Sequence, residues 1–138
     1  MSIENISQIV LEDTFNPDDY LVPVLPKEKD SRGFIYIVVD TKYPELLKVG
    51  KTQDFVKRVK TYNVDRPYED VNPILCTRMI KNVDYVEAFI KSEISRAYSS
   101  VGKSKEWFPR KCLKDILEIL ENTFDHQYVT FGDFDHEI

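Results

Sequence analysis

The sequence predicts an α/β (α+β) fold, in which a small three-stranded antiparallel sheet is flanked by helices. Segments rich in β-branched and aromatic residues alternate with segments whose apolar residues repeat at helical spacing. At 138 residues, 42% hydrophobic and 12% aromatic, the chain is long enough to bury one core. We therefore expect one domain over residues 32–124, an acidic N-terminal extension (1–31) packed on it, and an acidic C-terminal tail (125–138).

The first two strands are expected to form a hairpin. Residues 34–39 are an apolar run rich in β-branched and aromatic side chains, which is typical of a strand covered on both faces. Residues 46–51 predict a second, shorter strand. Residues 40–45 lie between them and contain Pro44, which favours a turn. Strands joined so briefly are expected to be antiparallel neighbours.

The later elements are expected in the order helix, strand, helix, short edge strand and helix. Thr52 or Asp54 is the expected N-cap of the first of these helices. Pro109 suits the first turn of the last helix, because a proline there loses no helical hydrogen bond. The expected elements cover residues 55–62, 73–80, 82–98, 106–108 and the segment from Pro109 to about Leu120.

The formal net charge of −5 is unevenly distributed along the chain. Residues 1–31 carry two basic against seven acidic side chains, and residues 112–138 carry one against seven. Residues 32–111 instead carry 16 Lys and Arg against 10 Asp and Glu, an excess of +6. A basic region gains affinity for phosphate through counterion release, so this region suits a DNA partner. Ordinary solvated surfaces also vary in sign, so charge alone leaves both interpretations open.

Other function classes find little support in the sequence. Cys76 and Cys112 lie far apart without metal-ligand spacing, so we expect neither a zinc site nor a disulfide framework. No apolar run is long enough to span a membrane, and residues 1–6 lack a signal-peptide pattern. We expect an intracellular protein, cytoplasmic or nuclear, without a membrane partner. His126 and His136 stand among acidic residues, which fits a metal site or, more commonly, a solvated terminus.

Several short motifs follow one another between about Arg32 and Leu120. The motifs are Gly33-x-Ile35-Tyr36-Ile37, Val49-Gly50-Lys51-Thr52, Lys57-Arg58, Val86-Glu87-Ala88-Phe89-Ile90 and Glu106-Trp107-Phe108. Their order resembles that of the GIY-YIG nuclease superfamily. Lys48 stands before Val49 and Gly50 where a tyrosine is usual, which is similar to the phage and large-DNA-virus branch.

The resemblance implies a divalent-metal-dependent DNA endonuclease that hydrolyses one phosphodiester bond per site. Double-strand cleavage would then need a dimer or two binding events. Glu87 is expected to hold Mg²⁺ or Mn²⁺ together with waters, and Tyr36 to act as, or orient, the general base. Lys48 or Lys51 is expected to lower the pKa of Tyr36, and Arg58 to clamp the phosphate.

Periodicity alone does not distinguish two glutamates of the helix over residues 82–98. Glu87 and Glu93 fall at opposite borders of its apolar stripe, and each also fits a solvated flank position. The resemblance selects Glu87, because it stands in the Val-Glu-x-x-Ile context of the family helix.

Two positions depart from the family pattern. Tyr62 lies four residues after Arg58 on one helix face, where many superfamily members have a histidine, so Tyr62 is the candidate second proton-transfer group. Lys91 stands where the branch commonly has another histidine. These departures keep an alternative open, a catalytically weak or inactive domain of the same fold that binds nucleic acid or a protein. The expected phosphate-binding side chains are Lys57, Lys60, Lys103 and Lys105.

Overall fold

The structure is a computed structural model that describes residues 31–132, and its strands form one antiparallel sheet. The strands are β1 (Phe34–Asp40), β2 (Tyr43–Thr52), β3 (Val71–Thr77), β4 (Trp107–Pro109) and β5 (Tyr128–Thr130), in the spatial order β4-β2-β1-β3-β5. The helices are α1 (Phe55–Tyr62), α2 (Val83–Ile94) and α3 (Leu113–Glu118). A 3-10 turn at Arg110–Cys112 precedes α3, and a π-helical turn at Ile119–Thr123 follows it.

Some predictions fall outside this range. The packing of the N-terminal extension concerns residues 1–30, and part of the acidic tail, including His136, concerns residues 133–138. Among residues 31–132, no helix combines the length and the apolar character that crossing a membrane requires.

The sheet has five strands, so the prediction of three was wrong in number. The antiparallel pairing of the three predicted segments is confirmed, with β1 between β2 and β3. Of the two extra strands, β4 corresponds to the short edge strand expected at residues 106–108, shifted by one residue, and it joins the sheet beside β2. Strand β5 was not predicted, because its three residues are too few for alternation of polar and apolar residues to be recognised. Both strands add to an existing edge: Phe108 pairs with Leu47, and Val129 pairs with Cys76.

Strand β1 runs through the middle of the sheet, and all seven of its residues are buried. Alternate side chains point to opposite faces of a strand, so β1 supplies two separate cores. Ile35 and Ile37 pack against α2 and α3, whereas Tyr36 and Val38 pack on the other face with α1. The expectation of a strand covered on both faces is therefore confirmed.

The turn between β1 and β2 is tighter than predicted. It consists of Thr41 and Lys42, and β2 already begins at Tyr43, so the broad turn over residues 40–45 was wrong. Asp40 explains the tightness: it is buried, its Oδ1 accepts from the Lys42 amide at 3.0 Å, and its Oδ2 lies 3.0 Å from Arg66 Nη2. Pro44 is tolerated because β4 pairs with β2 only from Leu46 onward.

The helices follow the predicted order with differences at their ends. The placement of Pro109 in the first turn of the last helix was wrong, because Pro109 pairs with β2 as the last residue of β4. Helix α1 has the predicted bounds, and Asp54 is its N-cap, with Oδ1 accepting from the Lys57 amide at 3.1 Å. Helix α2 ends at Ile94 rather than near Tyr98, because the chain turns away after its last buried residue. Helix α1 covers one face of the sheet, and α2 and α3 cover the other.

His126 lies in the core, not at a solvated terminus, so that interpretation of the histidine was wrong. Its side chain is buried before β5 and stacks on Phe124, with ring centres 5.8 Å apart and planes at 17°. Burial lowers the pKa of His126 to about 4, although the nearby Asp125 charge acts in the opposite direction.

The buried histidine predicts acid destabilisation. Between the ordinary pKa of 6.5 and the folded value of about 4, the unfolded chain binds a proton that the folded chain does not. The free energy of unfolding should therefore fall as the pH is lowered through this window, and be fully recovered above it. Urea denaturation at a series of pH values measures the slope.

His126→Gln should lose most of that slope above pH 5, where few carboxylates titrate. His136→Gln is the matched control, because it removes the only other histidine of the chain. An unchanged slope in His126→Gln would contradict the assignment.

Candidate active site

Two tyrosines form the centre of the candidate site. Tyr36 points from the middle of β1 toward α1, and its hydroxyl oxygen lies 2.8 Å from that of Tyr62 at the end of α1. Tyr36 is only 2% exposed, and burial is the main cause that raises its pKa, with the hydrogen bond to Tyr62 adding to it. Burial likewise raises the pKa of Tyr62. Both side chains are therefore neutral phenols at neutral pH.

Gly50 makes room for the ring of Tyr36. The two residues are direct cross-strand partners in the β1–β2 pair. A Cβ atom on residue 50 would overlap the Tyr36 ring and its hydroxyl oxygen, well inside van der Waals contact. The glycine of the Val49-Gly50-Lys51 motif is thus required by the tyrosine across from it, because any side chain would displace the phenol.

Lys48 and Arg58 place positive charge beside the tyrosine pair. Lys48 precedes Gly50 by two positions on β2, so it shares the sheet face of Tyr36, and its Nζ lies 4.9 Å from the ring centre of Tyr62. Arg58 is exposed on α1, one turn before Tyr62. The charges of Lys48 and Arg58 both lower the pKa of Tyr36, as expected of a cationic neighbour, but burial outweighs them.

Lys51 lies on the opposite face of the sheet from Tyr36. Its Nζ lies 2.6 Å from Asp84 Oδ1 and 3.8 Å from Glu87 Oε1, both on α2. The hydrogen bond to Asp84 is the main cause that raises the pKa of Lys51. Of the two lysines expected beside Tyr36, the structure therefore places only Lys48 there.

Glu87 is the half-buried carboxylate of α2. Its Oε1 faces Lys51, and its Oε2 lies 3.4 Å from Lys91 Nζ, one turn further along the helix. The side chain of Glu87 is 14% exposed, against 36% for Glu93, which pairs with Arg96 instead. The glutamate selected by the motif is thus the one that belongs to the cluster of charges.

Glu106 completes the cluster, and the sequence analysis did not name it as a site residue. Its Oε2 lies 3.0 Å from Lys48 Nζ, and its Oε1 lies 3.3 Å from Lys91 Nζ. Burial raises the pKa of Glu106, but the two ammonium groups together lower it further, so the net shift is downward. The sequence signal that could have identified Glu106 was its position directly before Trp107 in the closing-strand motif. Hydrophobic periodicity gives no such signal for a single acidic residue at the end of a strand.

The cluster connects the two faces of the sheet around an open edge of β2. Strand β4 pairs with β2 only as far as Lys48, opposite Trp107, and no other strand within residues 31–132 pairs with residues 49–52 on that side. Glu106, just before β4, contacts Lys48 on the α1 face and Lys91 on α2. A ligand at this edge would meet both the tyrosine pair and Glu87.

The oxygen donors at this edge suit a hard divalent cation in kind. Mg²⁺ binds through one or two carboxylates and completes its shell with waters and substrate phosphate. Within residues 31–132, no group of three or more His, Cys, Asp or Glu side chains is close enough together to hold an ion. Glu87 therefore fits as a single carboxylate ligand. The two oxygens that would bind the ion each face a lysine, Oε1 facing Lys51 and Oε2 facing Lys91.

The four lysines expected to bind phosphate lie on two different segments, helix α1 and the loop before β4. Lys57 and Lys60 are exposed on α1 and line a cavity of about 700 Å³ with Phe34, and this cavity does not include either tyrosine of the site. Lys103 and Lys105 are exposed in the loop that precedes Glu106. In the described part of the chain, none of the four makes an ion pair within 4.0 Å.

Comparison with known proteins identifies one family. A family model described as the T5orf172 domain matches residues 33–123, well over half of the 138-residue chain. The matched range begins before β1 and ends with the π-helical turn after α3, so it contains every member of the charge cluster and both tyrosines. The T5orf172 domain is a phage-associated domain related to endonuclease-type domains. Searches of curated proteins and of solved structures each return no significant match.

The contact between Gly50 and Tyr36 predicts a specific coupling. Gly50→Ala should destabilise the domain by about 1–3 kcal/mol, the usual cost of forcing an extra group into a packed core. Denaturant unfolding of Gly50→Ala, Tyr36→Ala and the double variant measures the effect.

The cost of Gly50→Ala should nearly vanish in the Tyr36→Ala background, since the ring that the new methyl group meets is then absent. Equal costs in the two backgrounds would show that Tyr36 does not set the requirement for glycine.

Proposed function

The chain belongs to the T5orf172 domain family, and from this membership and the site geometry we propose that it is a divalent-metal-dependent DNA endonuclease of GIY-YIG type that cuts one strand per site. One observation carries the proposal: unbroken contacts join the buried phenol of Tyr36 and the half-buried phenol of Tyr62 to a half-buried carboxylate. Hydrolysis of a phosphodiester needs a group that orients or deprotonates water, cations that stabilise charge, and a ligand for a metal ion. The series of contacts runs Tyr36, Tyr62, Lys48, Glu106, Lys91, Glu87.

Glu87 is the residue that would hold Mg²⁺ or Mn²⁺, with waters and the substrate phosphate completing the shell. A bound ion supplies polarisation of the scissile phosphate and stabilisation of the leaving oxygen. The position of Glu87 supports this role, because it is partly buried and its carboxylate faces the open edge of β2 rather than the solvated side of α2.

Tyr36 would orient the attacking water. The proton that the water loses would move to the Tyr36 oxygen as the Tyr36 proton moves to Tyr62, and the half-buried Tyr62 would release its own proton to solvent. A neutral phenol offers both a donor and an acceptor, and the 2.8 Å contact provides a direct route between the two hydroxyl groups. Lys48 and Arg58 lower the pKa of Tyr36 and so offset part of the effect of burial. Their charge favours the phenolate form at the moment when the proton leaves.

Arg58 is suited to bind the phosphate itself. Its guanidinium is exposed and lies beside Tyr62 at the same end of the site, and a guanidinium presents paired donors that match two phosphate oxygens. Lys103 and Lys105 would contact flanking phosphates, since their loop leads directly into Glu106. The excess of +6 over residues 32–111 supports DNA as the partner.

A second function is favoured by one specific observation. Both oxygens of Glu87 lie within ion-pair distance of lysines, and burial keeps Tyr36 protonated. A site built in this way also suits a domain that binds DNA without cutting it. Under that alternative Arg58 contributes to DNA affinity, whereas Glu87 and Tyr36 contribute only to folding.

Glu87→Gln should abolish metal-dependent nicking of a supercoiled plasmid in Mg²⁺ or Mn²⁺, because an amide is a much poorer ligand for either ion. DNA affinity should be retained or should rise, since one negative charge near the phosphate is lost. Glu93→Gln is the matched control on the same helix and should nick at the parent rate. Metal-dependent nicking that persists in Glu87→Gln would refute the role of Glu87, and DNA binding without any nicking by the parent would favour the binding module.

Tyr36→Phe should lower the nicking rate by roughly 100-fold or more, the scale of a lost proton-transfer group. The ring and its packing over Gly50 are kept, so the variant should fold and bind DNA nearly as the parent does. Tyr43→Phe, which removes an exposed hydroxyl from β2, is the matched control. A Tyr36→Phe protein that cleaves at the parent rate would exclude the proposed role of the phenol.

A further inference from the structure

Lys91 occupies an unusual position among the lysines of the site. Its ammonium lies 3.4 Å from Glu87 Oε2 and 3.3 Å from Glu106 Oε1, so one cation is shared between two carboxylates. Both carboxylates and the ammonium are mostly shielded from solvent, with side-chain exposures of 14%, 35% and 21%. The ammonium therefore holds an oxygen of Glu87 that a metal ion bound by this carboxylate would also need.

We propose that Lys91 is a resident cation that competes with the divalent ion for Glu87, so that the DNA-free protein binds metal weakly and binds it well only together with DNA. The proposal rests on the proposed function in one respect, that Glu87 is the metal ligand. It adds a regulatory role for Lys91, which positions the two carboxylates and is not itself a catalytic residue.

The competition follows from charge balance at close range. Glu87 and Glu106 would repel each other without a shared cation, and Lys91 offsets that repulsion in the free protein. An incoming divalent ion satisfies the same carboxylates, but it must displace the ammonium or accept a like charge beside it. Either requirement reduces the affinity of the free site for metal.

Lys51 is not the competitor, although it also contacts Glu87. Its Nζ lies 3.8 Å from Glu87 Oε1 but 2.6 Å from Asp84 Oδ1, so Asp84 is its principal partner. Lys91 has no such alternative among the ion pairs of residues 31–132, because its two partners are the carboxylates of the site. Removing Lys91 should therefore free Glu87, whereas Lys51 stays with Asp84.

A phosphate at the open edge of β2 would relieve the competition. The ammonium of Lys91 can exchange a carboxylate oxygen for a phosphate oxygen, which releases Glu87 to the ion. Binding of metal and DNA is then positively coupled, and the coupling is reciprocal: DNA raises metal affinity by the same factor by which metal raises DNA affinity.

The test is Mn²⁺ binding in the absence of DNA, followed by the electron paramagnetic resonance signal of free Mn²⁺. Lys91→Met should bind Mn²⁺ on the order of tenfold more tightly than the parent, the scale of one charge-assisted contact. Lys114→Met on α3 is the matched control, because it loses the same charge at an exposed position outside the cluster. The double variant Lys91→Met, Glu87→Gln should lose the gain, which locates the ion at Glu87.

Lys91→Gln gives a second measurement if Lys91→Met does not fold, since an amide keeps hydrogen bonds to both carboxylates without the charge. Equal Mn²⁺ affinity in the parent and in a folded Lys91 variant, or an equal gain in Lys114→Met, would overturn the inference. Plasmid nicking separates it from the proposed function. Tighter Mn²⁺ binding through Glu87 without nicking by any protein would uphold the inference and reject the endonuclease. Glu87-dependent nicking by the parent, with unchanged Mn²⁺ affinity in the Lys91 variants, would reject the inference and uphold the endonuclease.

Discussion

The packing of the Tyr36 ring against Gly50 is the constraint on which the candidate site depends. Tyr36 lies on the central strand of the sheet, where both faces are covered. The part of its side chain that can react with other groups is therefore the hydroxyl at the far end of the ring. The missing side chain at residue 50 leaves room for the ring, whose hydroxyl oxygen lies 2.8 Å from that of Tyr62. The same placement removes the phenol from water, which explains why burial dominates the effect of the nearby cations on its pKa.

The second constraint is the short length of β4. Because β4 stops opposite Lys48, no strand of the described part of the chain pairs with the edge of β2 beyond it, and side chains from both faces of the sheet meet there. Glu106 exists as a bridge only because the chain enters β4 at this edge, between Lys48 and the α2 residue Lys91. A longer β4 would separate the tyrosine pair on one face from Glu87 on the other.

Much of the fold followed from local sequence patterns, and the parts that did not have identifiable physical reasons. The six-residue apolar run from Phe34, the Asp54 cap and the apolar stripe of α2 are signals within single elements, and each located its element. The tight turn at Thr41 depends on the ion pair between the buried Asp40 and the half-buried Arg66, which are far apart in sequence. Strand β5 depends on the free edge of β3. In both cases the two contacting segments are too far apart in the sequence to belong to one local pattern.

The site shows the same division between local and long-range information. The motifs indicated Tyr36, Glu87 and Gly50, but they could not show that Lys51 faces α2 or that Glu106 joins the cluster. Which lysine neighbours which carboxylate is decided by strand register and by the open edge of β2, and a shift of one residue would exchange the two faces. Residue type was therefore predictable from the motifs, whereas pairing was not.

The charge balance of the assembled site indicates what it can accept. Lys48, Lys51, Arg58 and Lys91 carry four positive charges, and Asp84, Glu87 and Glu106 carry three negative ones, while both tyrosines are neutral; the balance is +1. A divalent ion alone would bring the cluster to +3, at short distances and with partial burial, which opposes binding. A phosphodiester alone would bring it to zero, and the two together to +2. The excess of positive charge in the resting site thus favours DNA before metal, and the ammonium of Lys91 is the charge best placed to move when the phosphate arrives.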